Sequence, residues 1–183
     1  MKTKISALTG ASRIALLAGT FAAVSSSMSG VATAAAGSAS GTITAGVTIV
    51  TPIAVQQVTA LNFGSIALAS TASGTMTIST ASARTSTGSI EIVTSGGQAA
   101  AAAQFSVSAQ SGYTYAVTLP GTATLSSGTS TVTVNSFTTG SSLSTLTATG
   151  SAQTYTVGAT LNVPASAVAG TYTGTFTVTA AYN

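Results

Sequence analysis

The sequence predicts an all-β protein, an immunoglobulin-like antiparallel β-sandwich. Many short segments alternate apolar and polar residues with a period of two, and stretches rich in Gly, Ser and Thr separate them, as in strands joined by turns. These turn signals recur about every 8–12 residues, a spacing typical of sandwiches. The sequence contains no amphipathic window of useful length with the helical period.

Residues 1–36 are predicted to be a secretory signal peptide. Three cations lie near the start, an apolar stretch of 11 residues follows at 14–24, and small residues come after it; this is the order of a signal peptide. The apolar stretch is too short to cross a bilayer as a helix, which needs about 20 residues. Ala-x-Ala sites end at Ala34 and Ala36. We expect cleavage after one of them and export of the remaining chain.

Charged side chains make up only 3% of the chain, and the sequence has no His and no Cys. The complete set is Lys2, Lys4, Arg13, Arg84 and Glu91. Such a set cannot form a catalytic triad, a zinc site or the carboxylate pair of a glycosidase, and so few cations cannot neutralise a nucleic acid. We therefore expect no catalysis, no cofactor and no metal.

Removal of the signal peptide leaves Arg84 and Glu91 as the charged side chains. We expect them to form a salt bridge across a hairpin whose turn lies at 85–88. A ligand-orienting pair or a bridge between subunits is the alternative. A chain with a net charge near zero associates readily, which suits assembly.

We expect an N-terminal extension at 37–50 and a single sandwich domain at 51–183. Pro52 separates the two, because proline cannot donate to a central β-ladder. The predicted strands are residues 42–50, 53–58, 75–79, 89–93, 104–109, 113–119, 131–135, 154–157, 160–163 and 171–182.

The first and last predicted strands carry the candidate binding residues. One face of the first strand holds Ile43, Ala45, Val47 and Ile49. One face of the last strand, with the glycine before it, holds Gly170, Tyr172, Gly174, Phe176, Val178, Ala180 and Tyr182. Two interpretations are open: these are the end strands of a self-complete sandwich, or the first strand completes the sheet of a neighbouring molecule by β-strand addition.

Threonine recurs at alternate positions, as at residues 75–77 and 171–179. Its β-branched side chain suits the solvent-facing positions of a strand, and we expect it to fill them. The alternatives are a threonine array that orders water and hydroxyl-rich faces that accept O-linked sugars.

Several stretches resemble a family of exported bacterial proteins called domain-of-unknown-function family 4402. They are Thr51-Pro52-Ile53, Leu61-Asn62-Phe63-Gly64, Gly74-Thr75-Met76-Thr77, Arg84 with Thr87-Gly88, residues 113–120, residues 157–161 and, as the strongest match, residues 169–179. Together they span nearly all of the chain after the signal peptide. The pattern is also similar to that of spore-coat-U-like and other chaperone–usher pilins.

The end of the chain resembles the chaperone-recognition motif of these pilins, which has a penultimate Tyr and a Gly fourteenth from the end. Tyr182 is penultimate among the 183 residues, and Gly170 is fourteenth from the end. The resemblance implies an incomplete immunoglobulin-like domain completed by a donor strand, a periplasmic chaperone, an outer-membrane usher and a surface filament of identical subunits. The alternative function is a monomeric secreted sandwich that binds a ligand or a carbohydrate.

Overall fold

The computed structural model describes residues 37–68 and 72–183. The predicted signal peptide therefore lies outside the described residues. Residues 46–183 form one compact unit, and every described strand belongs to it. This unit is the all-β antiparallel sandwich that the sequence predicts. The described residues contain no helix, and hence no helix that is long and apolar enough to span a membrane.

Twelve strands are present in the part of the chain that the structure describes. In chain order they are β1 (Ala54–Thr59), β2 (Ile66–Leu68), β3 (Gly74–Ile78), β4 (Arg84–Gly88), β5 (Ile90–Ile92), β6 (Ala103–Ser108), β7 (Thr114–Thr118), β8 (Thr122–Ser127), β9 (Ser130–Thr139), β10 (Leu146–Thr147), β11 (Gln153–Val163) and β12 (Thr179–Tyr182).

The largest sheet is built around β11, which has neighbours on both edges. On one edge, residues 153–157 pair with β6 and residues 159–163 pair with β3. On the other edge, residues 157–162 pair with β9, which pairs in turn with β8. The strands β1 and β4 lie at the two ends of this sheet, next to β6 and β3 respectively.

Gly158 lies where the neighbour of β11 changes from β6 to β3. It is buried, and a Cβ atom at this position would overlap the carbonyl oxygen of Ile78. The register against β9 also shifts between Gly158 and Thr160. The close approach of the two backbones explains why a glycine interrupts an otherwise branched and apolar strand.

Two smaller sheets complete the sandwich, one with the order β10-β7-β12 and one formed by β2 and β5. The apolar faces of the strands enclose two clusters of buried side chains. One cluster contains Met76 and Ile78, the other contains Val107 and Tyr115, and Phe137 packs against both. Burial of these apolar faces is the main stabilising contribution to such a fold.

Five predicted strands agree with the structure to within one residue at each end, namely those at 53–58, 75–79, 89–93, 104–109 and 113–119. The strand at 131–135 continues to Thr139, and the strands predicted at 154–157 and 160–163 are a single strand, β11. The strands β2, β4, β8 and β10 were not predicted, because their short or threonine-rich sequences show little alternation of apolar residues.

The hairpin turn expected at 85–88 is wrong, because Arg84–Gly88 is the strand β4 and pairs with β3. The turn lies at residues 79–83. There the N–H of Ser79 donates to the carbonyl oxygen of Ala83 at 2.9 Å, and Ser82 adopts a positive φ of 61°. Serine tolerates this left-handed conformation less well than glycine, so no glycine marks the turn in the sequence.

Candidate functional site

The C-terminal segment, defined as residues 170–182, has one face on the core and one in solvent. Half-buried along it are Tyr172, Phe176, Val178, Ala180 and Tyr182. The threonines between them are exposed, as are Gly170 and Gly174. The side chains therefore alternate between core and solvent along the whole segment.

The backbone of the C-terminal segment is not paired along its whole length, so the single strand expected at 171–182 is wrong. Only β12 forms a continuous ladder, with β7. Nearer the start, Thr173 forms an isolated bridge with Ser126 of β8 through two backbone hydrogen bonds of 2.9 and 3.0 Å. Residues 174–178, between these points, pair with no strand of the described chain.

The gap in pairing at residues 174–178 is explained by the strands that the C-terminal segment pairs with. It pairs first with β8, at Thr173, and then with β7, from Thr179 onward. Eight steps separate residues 118 and 126, whereas only six separate their partners, residues 179 and 173. The surplus is accommodated around Pro120 and Gly121, between the two strands. Because proline has no N–H to donate and the surplus residues break the register between the two ladders, residues 174–178 have no regular partner.

Both glycines of the predicted face lie close to β8. A Cβ atom on Gly174 would overlap the carbonyl oxygen of Thr124 and lie 2.8 Å from Cδ2 of Leu125. A Cβ atom on Gly170 would lie 2.5 Å from Oγ of Ser127. The two glycines thus allow the start of the C-terminal segment to approach β8 more closely than any other residue type would.

Phe176 connects the unpaired stretch to the core. Its ring centroid lies 5.0 Å from that of Phe137, and it packs against both buried clusters. Val178 and Ala180 continue the contact with the second cluster. Side-chain packing therefore holds residues 174–178 in place while their backbone groups lack a ladder.

Tyrosine hydroxyls hold the two ends of the C-terminal segment. The Tyr182 hydroxyl donates to the carbonyl oxygen of Thr51 at 2.8 Å and accepts from the backbone N–H of Gln110 at 2.7 Å. The Tyr172 hydroxyl donates to the carbonyl oxygen of Val168 at 2.8 Å. Tyr182, which the resemblance links to recognition by a chaperone, uses its hydroxyl within its own domain to tie β12 to the entry of β1.

Several strands lie at the end of a sheet in the described part of the chain, and two of them are β12, within the C-terminal segment, and β1, at the entry of the domain. β12 is the outermost strand of its sheet, and β1 is the outermost strand beside β6. β1 is exposed on both faces, and the exposed fractions of Val55 and Val58 are 36% and 55%. Open edges offer unpaired N–H and C=O groups to any further strand.

Residues 42–50 form no strand in the described part of the chain, so the first predicted strand is wrong. Ala45 is exposed, and the exposed fractions of Ile43, Val47 and Ile49 are 91%, 86% and 89%. Alternation of apolar and polar residues gives a segment a face that can be buried. A β-strand also needs a neighbouring backbone to hydrogen-bond with, and residues 42–50 have none in the described part of the chain. These four side chains present that apolar face to solvent.

Comparison with known families matches residues 53–182 to the model described as Domain of unknown function (DUF4402). The chain belongs to this family. The match covers the sandwich from the entry of β1 to the end of β12 and confirms the family that the sequence motifs indicate. No curated protein and no solved structure matches the chain.

Neither charged side chain of the DUF4402 domain forms the expected salt bridge. Arg84 donates from Nη1 to the carbonyl oxygen of Ser65 at 3.4 Å, and it lies on β4 in register with Ile78. Glu91 lies on β5 in register with Ala67 and is exposed. The expected salt bridge assumed a hairpin turn at 85–88, which would have placed Arg84 and Glu91 on facing strands. Because residues 84–88 form β4 instead, the two side chains face other partners.

The sequence does not predict a hydrogen-bonded tyrosine pair in the DUF4402 domain, formed by the buried Tyr115 and the half-buried Tyr155. Tyr115 is fully buried, and its hydroxyl lies 2.6 Å from the Tyr155 hydroxyl and donates to Oε1 of Gln153 at 3.1 Å. Burial, with the hydrogen bond to Tyr155, raises the pKa of Tyr115 above its ordinary value. The pair joins β7 to β11, and only the register of these strands shows it.

Proposed function

We propose that this protein is the structural subunit of a surface filament and that residues 42–50 of one subunit complete the sandwich of the next. One observation carries the proposal: the same chain holds an exposed, alternating apolar segment and a core-backed stretch, residues 174–178, whose backbone has no partner in the described chain. Residues 42–50 lack a pairing strand and a core to cover their apolar face, and residues 174–178 lack a backbone partner. The export and the absence of catalysis expected from the sequence suit this role.

Hydrogen bonding favours this arrangement. A strand laid along the C-terminal segment would pair with the open edge of β12 and with the unpaired groups of residues 174–178. Backbone pairing gives such an added strand affinity, and pockets for alternate side chains give it specificity. Residues 42–50 contain no proline, so every residue retains its N–H donor.

Apolar burial would supply most of the free energy of association. Ile43, Val47 and Ile49 are almost fully exposed, and burying an aliphatic side chain of this kind contributes about 1.5–3 kcal/mol. Ala45, between them, leaves room on the same face for a larger side chain of the acceptor. The filament then contains identical subunits, and a periplasmic chaperone and an outer-membrane usher would keep the open edge covered until assembly.

Substitution on the two faces of residues 42–50 tests the proposal. Val47→Asp should abolish polymerisation, because the carboxylate would be buried without a cation and an unpaired buried ion costs several kcal/mol. Thr48→Asp is the matched control: it adds the same charge one residue away, on the opposite face, and should leave polymers intact. Size-exclusion chromatography and electron microscopy of the exported chain measure the outcome.

A peptide of residues 41–50 completes the test. It should bind the Val47→Asp protein and raise its thermal stability, because the accepting groove of that variant is unchanged. Wild-type protein that binds the peptide but forms no polymers would show an open groove and contradict the filament. Wild-type protein that is a stable monomer and ignores the peptide would contradict the filament and favour the monomeric secreted sandwich.

A further inference from the structure

Two rows of hydroxyl and amide side chains cross the outer face of the largest sheet in register. The first row, from β4 through β3, β11 and β9 to β8, is Thr87, Thr75, Asn162, Thr133 and Thr124. The second row, over the same strands, is Thr85, Thr77, Thr160, Asn135 and Thr122. We call these ten residues the hydroxyl array. It arises from five separate sequence segments, so no repeat in the sequence reveals it.

The array faces solvent, because the residues on the opposite face of the same strands are buried. Met76, Leu161 and Val134 alternate with array residues along their strands and are buried in the core. Within the array, the hydroxyls of Thr75 and Thr87 lie 2.6 Å apart, and those of Thr77 and Thr160 lie 2.9 Å apart. The rotamers of these threonines are therefore held by cross-strand hydrogen bonds.

The first row opens into a recess with a volume of about 400 Å³. Its polar walls are Thr75, Asn162 and Thr133 of the array, with Ser73 and Thr131 beside them. The recess is shallow and open to solvent, so a ligand would contact it with one face. The array is not a flat template for ordered water, because neighbouring strands rotate by about 20–25° relative to one another.

The geometry points to a neutral carbohydrate as the ligand of this recess, and we propose that it is a saccharide-binding site. Each threonine or serine hydroxyl both donates and accepts, and an asparagine amide has two donors and an acceptor, which matches the hydroxyl groups of a sugar. Pro164, which is exposed, supplies a small apolar surface for the C–H face of a ring. Neither Arg84 nor Glu91 lines the recess, so an ionic ligand would lose hydration without gaining a partner.

A titration of the exported chain with three neutral hexasaccharides, cellohexaose, maltohexaose and chitohexaose, tests this site by NMR. At least one should shift the resonances of Thr75, Thr133 and Asn162 in a saturable manner. Thr75→Val and Thr133→Val remove a hydroxyl at almost constant shape, and each should weaken binding about fivefold, the scale of one net hydrogen bond. Thr122→Val, in the second row and outside the recess, should leave the affinity unchanged.

Three results would overturn the proposal. The first is that none of the hexasaccharides moves these resonances at concentrations up to about 20 mM, a very weak affinity. The second is that the Thr75 and Thr133 variants bind as the wild-type protein does. The third is that the same resonances move with protein concentration alone, because a second copy of the chain would then occupy the recess. The Val47→Asp protein with its peptide can be titrated in the same way, so failure of the filament proposal is distinguishable from failure of this one.

Discussion

Gly174 lies against the backbone of β8, which leaves no space for a side chain in the direction of its missing Cβ atom. A Cβ atom there would overlap the carbonyl oxygen of Thr124, and the neighbouring Thr173 is fixed by its bridge to Ser126. The backbone rather than a flexible side chain would have to move. The glycine of the predicted face therefore serves packing within its own domain.

We predict that Gly174→Ala lowers the free energy of unfolding by about 1–3 kcal/mol, the usual cost of overpacking a close contact. Gly121→Ala is the control, since a Cβ atom on Gly121 meets nothing within 4 Å. Urea denaturation of the two variants measures the difference. Equal stability of both variants would show that the start of the C-terminal segment is not held against β8 as described.

Because of Tyr115, we expect the free energy of unfolding of the domain to fall at alkaline pH. Its pKa is raised in the folded state by burial and by the hydrogen bond to Tyr155, so the unfolded chain loses the proton first, near the ordinary tyrosine pKa of about 10. The stabilisation is complete below that pH and is lost as pH rises above it, by up to about 1.4 kcal/mol per pH unit.

This effect of Tyr115 can be checked by urea denaturation between pH 9 and pH 11, values that bracket the ordinary pKa. Above about pH 10 the wild-type domain should lose stability more steeply than Tyr115→Phe, which has no proton to lose at this site. Tyr113→Phe is the control, because Tyr113 is 41% exposed. Parallel pH profiles for the wild-type protein and Tyr115→Phe would contradict the assignment.

At the scale of strands, the alternation of apolar residues predicts correctly which side chains face the core, but it does not predict which backbones pair. The C-terminal segment shows the difference. Its half-buried face follows from the sequence, but its interruption depends on Pro120, which lies more than 50 positions away, in the connection between β7 and β8. Likewise, the sequence placed an apolar face on residues 42–50, whereas the presence of a pairing edge is a property of tertiary structure. Periodicity records side-chain burial, and register and partner choice require the whole fold.

Amide hydrogen exchange separates the paired and unpaired parts of the C-terminal segment. In the monomeric Val47→Asp protein, the amides of residues 174–178 should exchange faster than those of β12 that donate to β7, because they lack a ladder. Addition of the peptide of residues 41–50 should slow them by about tenfold or more. A peptide carrying Val47→Asp is the control and should leave exchange unchanged. Strong protection of residues 174–178 before any peptide is added would contradict the open ladder.

At the scale of the whole molecule, the near neutrality of residues 37–183, whose charged side chains are Arg84 and Glu91, and the open edges of β1 and β12 favour association over an isolated existence. Soluble monomers usually blunt their edge strands with charged side chains or proline, whereas β1 carries neither and β12 carries neither. The charged side chains of residues 37–183 lie on other end strands, Arg84 on β4 and Glu91 on β5, and leave β1 and β12 without a charge. Added strands from a neighbouring subunit would cover these edges in a filament.

Disulfide trapping tests the central claim most directly, because the chain contains no cysteine of its own. Thr48→Cys is combined in turn with Thr173→Cys, Thr175→Cys and Thr177→Cys, all at exposed positions, and the oxidised proteins are separated by non-reducing gel electrophoresis. Thr48→Cys with Thr85→Cys on β4 is the control. Insertion of residues 42–50 into the next subunit predicts a ladder of cross-linked multimers for at least one of the three pairs and none for the control. A cross-linked monomer, or no disulfide in any of the three pairs, would contradict it.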